Sequence, residues 1–128
     1  SYSYIDAKVL TSSSTLTAGD RLSAQPRQLA SIWGSKTFMV GDDWQVRAGA
    51  GVRHIGNKID AGQSFLTPSV TLVDAMVSAT SGQWVASLNA SNLFNKKYYD
   101  LCSLLATTHG LCTAAKDRTL LASLTRKF

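Results

Sequence analysis

The sequence contains no glutamate; all eight acidic residues among its 128 positions are aspartate. Without Glu, and with few other strong helix formers in periodic runs, a helical bundle is not a workable reading. Charge of either sign is scarce: 16% of residues are charged, against about 25% in a typical soluble domain. No run of 18 apolar residues occurs, which excludes a membrane-spanning helix. The net charge is +5, yet the basic residues are spread thinly from Lys8 to Lys127 with no cluster of five and no stacking motif. That footprint argues against nucleic acid as a partner. There is no nucleophile–base pair and no glycine-rich phosphate loop. His54 and His109 have no oriented acid near them in sequence, so both read as solvated or interfacial and the chain does not read as an enzyme. What is abundant is sixteen Ser, twelve Thr and 45% hydrophobic residues including eleven Phe, Trp and Tyr. That apolar content disfavours disorder and points to β structure.

Six segments alternate with period two. They are about Tyr2–Leu10, Gln28–Phe38, Trp44–His54, Ser69–Ala79, Trp84–Asn92 and Arg118–Phe128. The third is the cleanest, with Trp44, Val46, Ala48, Ala50 and Val52 on one face and Gln45, Arg47, Gly49, Gly51 and Arg53 on the other. In the second the phase is ambiguous, because Leu29 and Trp33 oppose Ala30 and Ile32. In the fourth, Val73, Ala75, Val77 and Ala79 oppose Asp74 and Ser78. Trp84, Ala86, Leu88 and Ala90 form the apolar face of the fifth, and Leu120, Ala122, Leu124 and Phe128 that of the sixth. Long connections (Thr11–Arg27, Gly56–Pro68, Leu93–Asp117) alternate with short ones (Met39–Asp43, Thr80–Gln83). The expected topology is therefore six antiparallel strands in up-and-down order, with the long loops on one side.

Alternation alone fits a soluble antiparallel sheet with one buried face equally well. Two features favour a membrane β-barrel. Soluble sandwiches more often keep their connections short. The aromatics also fall into two bands: Tyr2, Tyr4, Phe38, Trp44, Trp84 and Phe128 are placed at the short-turn end, and Phe94, Tyr98 and Tyr99 at the other. Eleven or so residues at about 3.3 Å each, tilted near 45°, cover the roughly 25 Å apolar band. Val46, Ala48, Ala50 and Val52 would then face lipid, with Asp6, Lys8, Arg47, Arg53 and Asp74 toward a wet lumen. The chain starts without Met and in mid-alternation, which reads as a fragment or a processed product.

Five stretches carry a resemblance: YSYIDAKV (Tyr2–Val9), GDRLSAQP (Gly19–Pro26), AGAGVRHIG (Ala48–Gly56), VTLVDAMV (Val70–Val77) and SLNASNLFNKKYY (Ser87–Tyr99). In order and spacing they resemble the C-terminal barrel of TonB-dependent ferric-siderophore receptors of the ferrichrome-type branch. Asn92–Tyr99 is similar to that family's NLF-(D/N)-K-x-Y segment. The terminal Phe128 is similar to the aromatic by which outer-membrane barrels are recognised for assembly, although Arg126 departs from the apolar residue usual two positions earlier.

The resemblance implies a plugged barrel of about 22 strands in the Gram-negative outer membrane, importing ferric siderophore with energy from TonB. This chain would supply its last six strands over residues 1–128, with the plug and TonB-contacting segment outside it. Six strands cannot close a barrel, and open edges in lipid leave backbone groups unpaired. The remaining barrel strands, the plug and outer-membrane lipid are thus implied partners, and ferric siderophore is a transported ligand rather than a resident cofactor.

In that oxidising setting Cys102 and Cys112 favour a disulfide within the last long loop, as in the ferrichrome-type receptors; two free thiols are the alternative. A zinc site on Cys102, His109 and Cys112 lacks a fourth ligand, so no metal is expected. Arg27, Tyr98 and Tyr99 are candidate ligand contacts near the outer mouth, or else members of the interface belt. Gly49 and Gly51 read either as close packing against a plug or as a strand bend. A soluble disulfide-bearing β-sandwich and a diffusion porin are the competing readings.

Overall fold

A computed structural model describes residues 1–13, 17–106 and 109–128; the side chains of residues 104–106 and 109 lie outside this description. The strands are β1 (Tyr2–Tyr4), β2 (Gln28–Val40), β3 (Trp44–Ile55), β4 (Lys58–Ile59), β5 (Leu66–Thr67), β6 (Val70–Ser81), β7 (Trp84–Ser91), β8 (Tyr99–Ala106), β9 (His109–Ala114) and β10 (Thr119–Arg126). Among the described residues there is no helix. One six-stranded sheet has the order β1-β2-β3-β6-β7-β10, the expected up-and-down meander. Its two tight turns carry Gly41 and Gly82 at φ +64° and +53°, a left-handed conformation in which a Cβ is costly.

The long connections are less plain than expected. Those after β3 and β7 each contain a hairpin, β4–β5 and β8–β9. Neither was read from the sequence: the β4–β5 ladder is two residues long, too short for period two to register, and the β8–β9 register shifts between Tyr99 and Leu101 and again between Leu104 and Ala106, which breaks the alternation. Residues 14–16 and 107–108 of the expected loops lie outside the described residues.

The first segment was expected to run as a strand to Leu10, but its ladder ends at Tyr4. The cause lies in its partner. Ile5 N donates to Arg27 O, whereas Leu22 N donates to Ala7 O and Lys8 bridges Arg21. The pairing therefore slips between these contacts, and residues 23–26 loop out. Pro26 has no N–H to offer, and Ala24 sits at φ +62° with its own N–H turned to Ile59 O.

A second correction concerns Tyr2 and Tyr4. They pair with Ala30 and Gln28, at the start of β2 where the long connection enters. They therefore do not belong with Phe38, Trp44, Trp84 and Phe128 at the tight-turn end. Direction along the chain was read correctly, but position along the strand is set only by the partner's register.

The chain divides into two compact units: residues 1–30, 54–71 and 97–115, and residues 31–53, 72–96 and 116–128. In the second, registers align the expected apolar faces into rows: Ala75–Ala90–Leu120, Val77–Leu88–Ala122 and Ala79–Ala86–Leu124. Polar residues share the other face, where Ser87 Oγ and Ser123 Oγ lie 2.7 Å apart. Arg53 Nε lies 2.7 Å from Asp74 Oδ2 on that same polar face.

The larger side chains of these rows are uncovered: Leu124 is 69% exposed and Leu120 59%, Val77 and Leu88 are exposed too, and Ile32 on β2 reaches 73%. Covering a single such side chain is worth about 1.5–3 kcal/mol, so a soluble sandwich would not leave three strands of them bare. Arg126 falls in line with this face, opposite Trp84, and its guanidinium stands 5.5 Å and 5.7 Å from the Trp84 and Phe128 ring centres. The charge at this departure from the usual pattern is accommodated by two aromatic faces.

The ambiguous phase of β2 is decided by glycines. A Cβ on Gly51 would run into the Trp33 ring, and one on Gly49 would stand 3.3 Å from it. Trp33 thus lies on the polar face across the two glycines, a cross-strand covering of glycine by an aromatic ring. This is neither of the two roles expected for Gly49 and Gly51.

Candidate functional site

Among the described residues of the first unit, separate clefts hold the three candidate contacts. Arg27 lines a polar cleft of about 270 Å³ with Tyr4, Arg21, Gln28, His54, Asn57 and Ser69. Tyr98 and Tyr99 line a narrow crevice of about 10 Å³ beside Lys58, Thr67, Val70 and Asp100. The sequence offered these three residues as one set near a common mouth; the fold assigns them to two places.

The tyrosine cleft is built where the two loop hairpins meet. Lys58 Nζ donates to Asp100 Oδ1 at 2.7 Å and to Asp100 O at 3.1 Å. Cys102 N donates to Thr67 Oγ1 at 2.8 Å, and Cys102 and Thr67 are both 2% exposed. The β4–β5 turn is held by Asp60, itself 2% exposed, whose Oδ1 accepts from Ser64 N and Phe65 N. Cys102 and Cys112 face one another directly in the β8–β9 ladder and are bonded. The bridge therefore lies within the last long loop, as expected, and crosses the two strands of a docked hairpin. With both sulfurs consumed, neither cysteine is a zinc ligand, and no group of three metal-binding side chains occurs among the described residues.

Closing ten residues in this way is worth about 2–3 kcal/mol by loop entropy. Replacing Cys102 and Cys112 together by Ser is expected to raise hydrogen exchange in β8 and β9 while leaving exchange in β7 and β10 unchanged. Equal loosening of β7 would show that the bridge braces more than its own unit.

The arginine cleft has different walls. Tyr4 and Gln28 are a cross-strand pair, and His54 Nδ1 is 2.8 Å from Thr71 Oγ1. Arg21 Nη2 is 3.5 Å from Asn57 Oδ1. Arg27 Nη2 is 3.6 Å from Asp6 Oδ1, and its buried Nε has no hydrogen-bond partner among the described residues. Sequence reasoning missed Arg21, Tyr4 and Asn57 because the slipped register that gathers them has no period. His54, read from the sequence as solvated or interfacial, lies in the lining of this cleft.

In the second unit the Asn92–Lys96 part of the Asn92–Tyr99 stretch has a structural explanation. Asn92 and Asn95 adopt φ +53° and +52°, which Asn tolerates better than most residues. Asn92 is 3% exposed; its Oδ1 accepts from Lys96 N at 2.8 Å and its Nδ2 donates to Lys96 O at 2.9 Å. Asn92 N donates to Asp74 Oδ1 at 2.9 Å. Asn95 Oδ1 accepts from Arg118 N at 3.0 Å, fastening the turn to the approach of β10.

Residues 1–93 match the sequence model of the family described as TonB dependent receptor-like, beta-barrel. The chain belongs to this family. It is a family of outer-membrane receptors, not of enzymes. Over 85 residues, 60% of the chain, this barrel sequence is 36% identical to the ferrioxamine receptor of Yersinia enterocolitica, of which the match spans 11%. The fold is similar to the crystal structure of BauA, the ferric preacinetobactin receptor from Acinetobacter baumannii. That likeness has a TM-score of 0.75 and 19% identity, and covers 99% of this chain and 19% of that one. The chain thus spans about a fifth of that receptor's structure. The all-β, antiparallel barrel architecture expected from the sequence stands.

Proposed function

We propose that this chain is the C-terminal, six-stranded part of an outer-membrane receptor that binds ferric siderophore of the hydroxamate class and imports it with energy from TonB. The observation that carries this reading is the family match together with an uncovered apolar face on an unclosed sheet. Such a sheet is sound in lipid only when further strands complete it. The likeness to a ferrioxamine receptor supports the ligand class. The plug and the TonB contact belong, on this reading, to sequence outside residues 1–128. This segment contributes wall, outer loops and the assembly end rather than chemistry, and the cargo is a substrate, not a resident cofactor.

The orientation has a direct test. In the full-length receptor, Ala48→Asp places a charge on the lipid face and is expected to cost up to about 2 kcal/mol near midplane. Gln45→Asp, on the lumen face, should be tolerated. Equal yields of heat-modifiable barrel from the two variants would contradict the assignment of faces.

For the ligand, Tyr98 and Tyr99 are the proposed contacts for the ferric chelate, offered from the exposed rim of the hairpin rather than from within its narrow crevice, Tyr99 being 54% exposed. Ring contacts are worth about 0.5–1.5 kcal/mol each, so Tyr98→Ala with Tyr99→Ala should weaken ferric hydroxamate binding roughly tenfold. Measured affinity unchanged in a correctly inserted receptor would remove these two residues from the site. Uptake that persists without TonB would favour a diffusion porin.

A further inference from the structure

One rung of the β4–β5 ladder holds two points of β8. Lys58 and Thr67 are cross-strand partners. Lys58 Nζ donates to Asp100 Oδ1 at 2.7 Å and to Asp100 O at 3.1 Å, and Thr67 Oγ1 accepts from Cys102 N at 2.8 Å. All four residues lie in the first unit. The two points held, Asp100 and Cys102, stand at the step where β8 departs from a regular ladder.

That departure decides where Tyr99 stands. Cys102 faces Cys112 and Leu101 faces Thr113, yet Tyr99 faces Ala114, so Asp100 is one residue too many on its strand. It is a β-bulge, a device that re-aims a neighbouring side chain. Tyr98 O accepts from Ala115 N at 3.0 Å, so pairing continues past it. A regular ladder continued from the Cys102–Cys112 rung would set Asp100 opposite Ala114 and carry Tyr99 on by one residue, turning its ring to the other face. The disulfide fixes the register only at its own rung. Beyond that rung the bulge has to be held at residue 100, and Lys58 holds it by the backbone carbonyl as well as the carboxylate. The Lys58 side chain is 17% exposed against 65% for Asp100, so water competes little for the ammonium.

We propose that Lys58 is a positioning residue for cargo binding: it pins the bulge at Asp100 and so aims Tyr99, with Tyr98 beside it, at the ferric chelate. This role rests on the proposed contact of the two tyrosines with the chelate. The hairpin after β3 thereby takes part in recognition without touching the ligand.

The test uses the full-length receptor, with a ferric trihydroxamate as probe and fluorescence quenching as the measure of affinity. Lys58→Met keeps the length of the stem and removes the donors. It should weaken binding about three- to tenfold, no more than the loss of both rings does. Lys58→Arg, whose fork can reach the same two oxygens, should recover most of that loss. In the Tyr98→Ala, Tyr99→Ala background, Lys58→Met should cost nothing further. A full additional loss there would make Lys58 a direct contact and overturns the positioning role. With 3-fluorotyrosine incorporated, the Tyr99 fluorine resonance, assigned by Tyr99→Phe, should move in Lys58→Met and return in Lys58→Arg. An unmoved resonance overturns the proposal. Where Lys58→Met yields no heat-modifiable barrel, Asp100→Ala approaches the same bond from its exposed side and should weaken binding about threefold; wild-type affinity in that variant overturns the proposal as well. If the tyrosine double variant binds as wild type does, the chelate-contact reading falls and this role falls with it. If that variant is weakened and Lys58→Met is not, only the role of Lys58 falls.

Discussion

Replacing Asn92 by Ala is expected to destabilise the barrel end by about 3 kcal/mol. Three terms add. Lys96 N and Lys96 O lose their partners in a nearly closed setting, at roughly 1 kcal/mol or more for each group left unpaired. Ala at φ +53° costs about 1 kcal/mol or more, because its Cβ crowds the backbone where Asn is tolerated. The turn also presents the Asn92 N–H to Asp74, which in turn pairs with Arg53, so strain at Asn92 reaches the polar face of β3. Graded variants separate these contributions. Asn92→Gly relieves the backbone term only and should recover part of the loss. Asn92→Asp keeps the acceptor for Lys96 N and forfeits the donor to Lys96 O, so it should also fall in between. The measurement is the denaturant midpoint of the full-length receptor. An Ala variant within about 0.5 kcal/mol of wild type would show that the turn is held by its neighbours instead.

The second large effect is expected at Gly51. Ala there would drive its methyl into the Trp33 ring and to 2.8 Å from Ile32 O, which is backbone and cannot swing aside. Overpacking of this kind costs typically 1–3 kcal/mol, and the backbone contact puts Gly51→Ala at the upper end. Trp33→Ala in the same chain should restore about 1 kcal/mol by freeing the ring's space, leaving the Ile32 carbonyl contact in place. Gly34→Ala is the control, since a Cβ at Gly34 meets nothing within 4 Å. Additive losses in the Gly51–Trp33 double variant would show that the ring does not rest on the glycine.

These two positions also show what a local pattern conveys. Asn92 stood out as part of a segment resembling a family motif, yet its work is geometric: an αL backbone, two side-chain bonds and a buried turn. Gly49 and Gly51 were legible as exceptions to the polar face of β3. Their purpose was not, because the ring that fills the gap belongs to another strand whose phase was ambiguous.

What the sequence determined by itself is whatever repeats along one strand. Period-two alternation from Trp44 to His54, from Val73 to Ala79 and from Trp84 to Ala90 placed the apolar faces, and the β6–β7–β10 ladders align them as read. Connection lengths implied the meander, and the spacing and setting of the cysteines implied their bond. Tertiary structure alone decided whatever depends on register between segments. Tyr2 and Tyr4 moved to the other end of the sheet because β1 pairs at the start of β2. The first strand stopped at Tyr4 because Pro26 and Ala24 break its partner. Arg27 parted from Tyr98 and Tyr99, and joined Arg21, His54 and Asn57 instead. A residue's own neighbours fix which face its side chain takes, but cross-strand hydrogen bonds fix which residues stand beside it, and these join positions far apart in the chain.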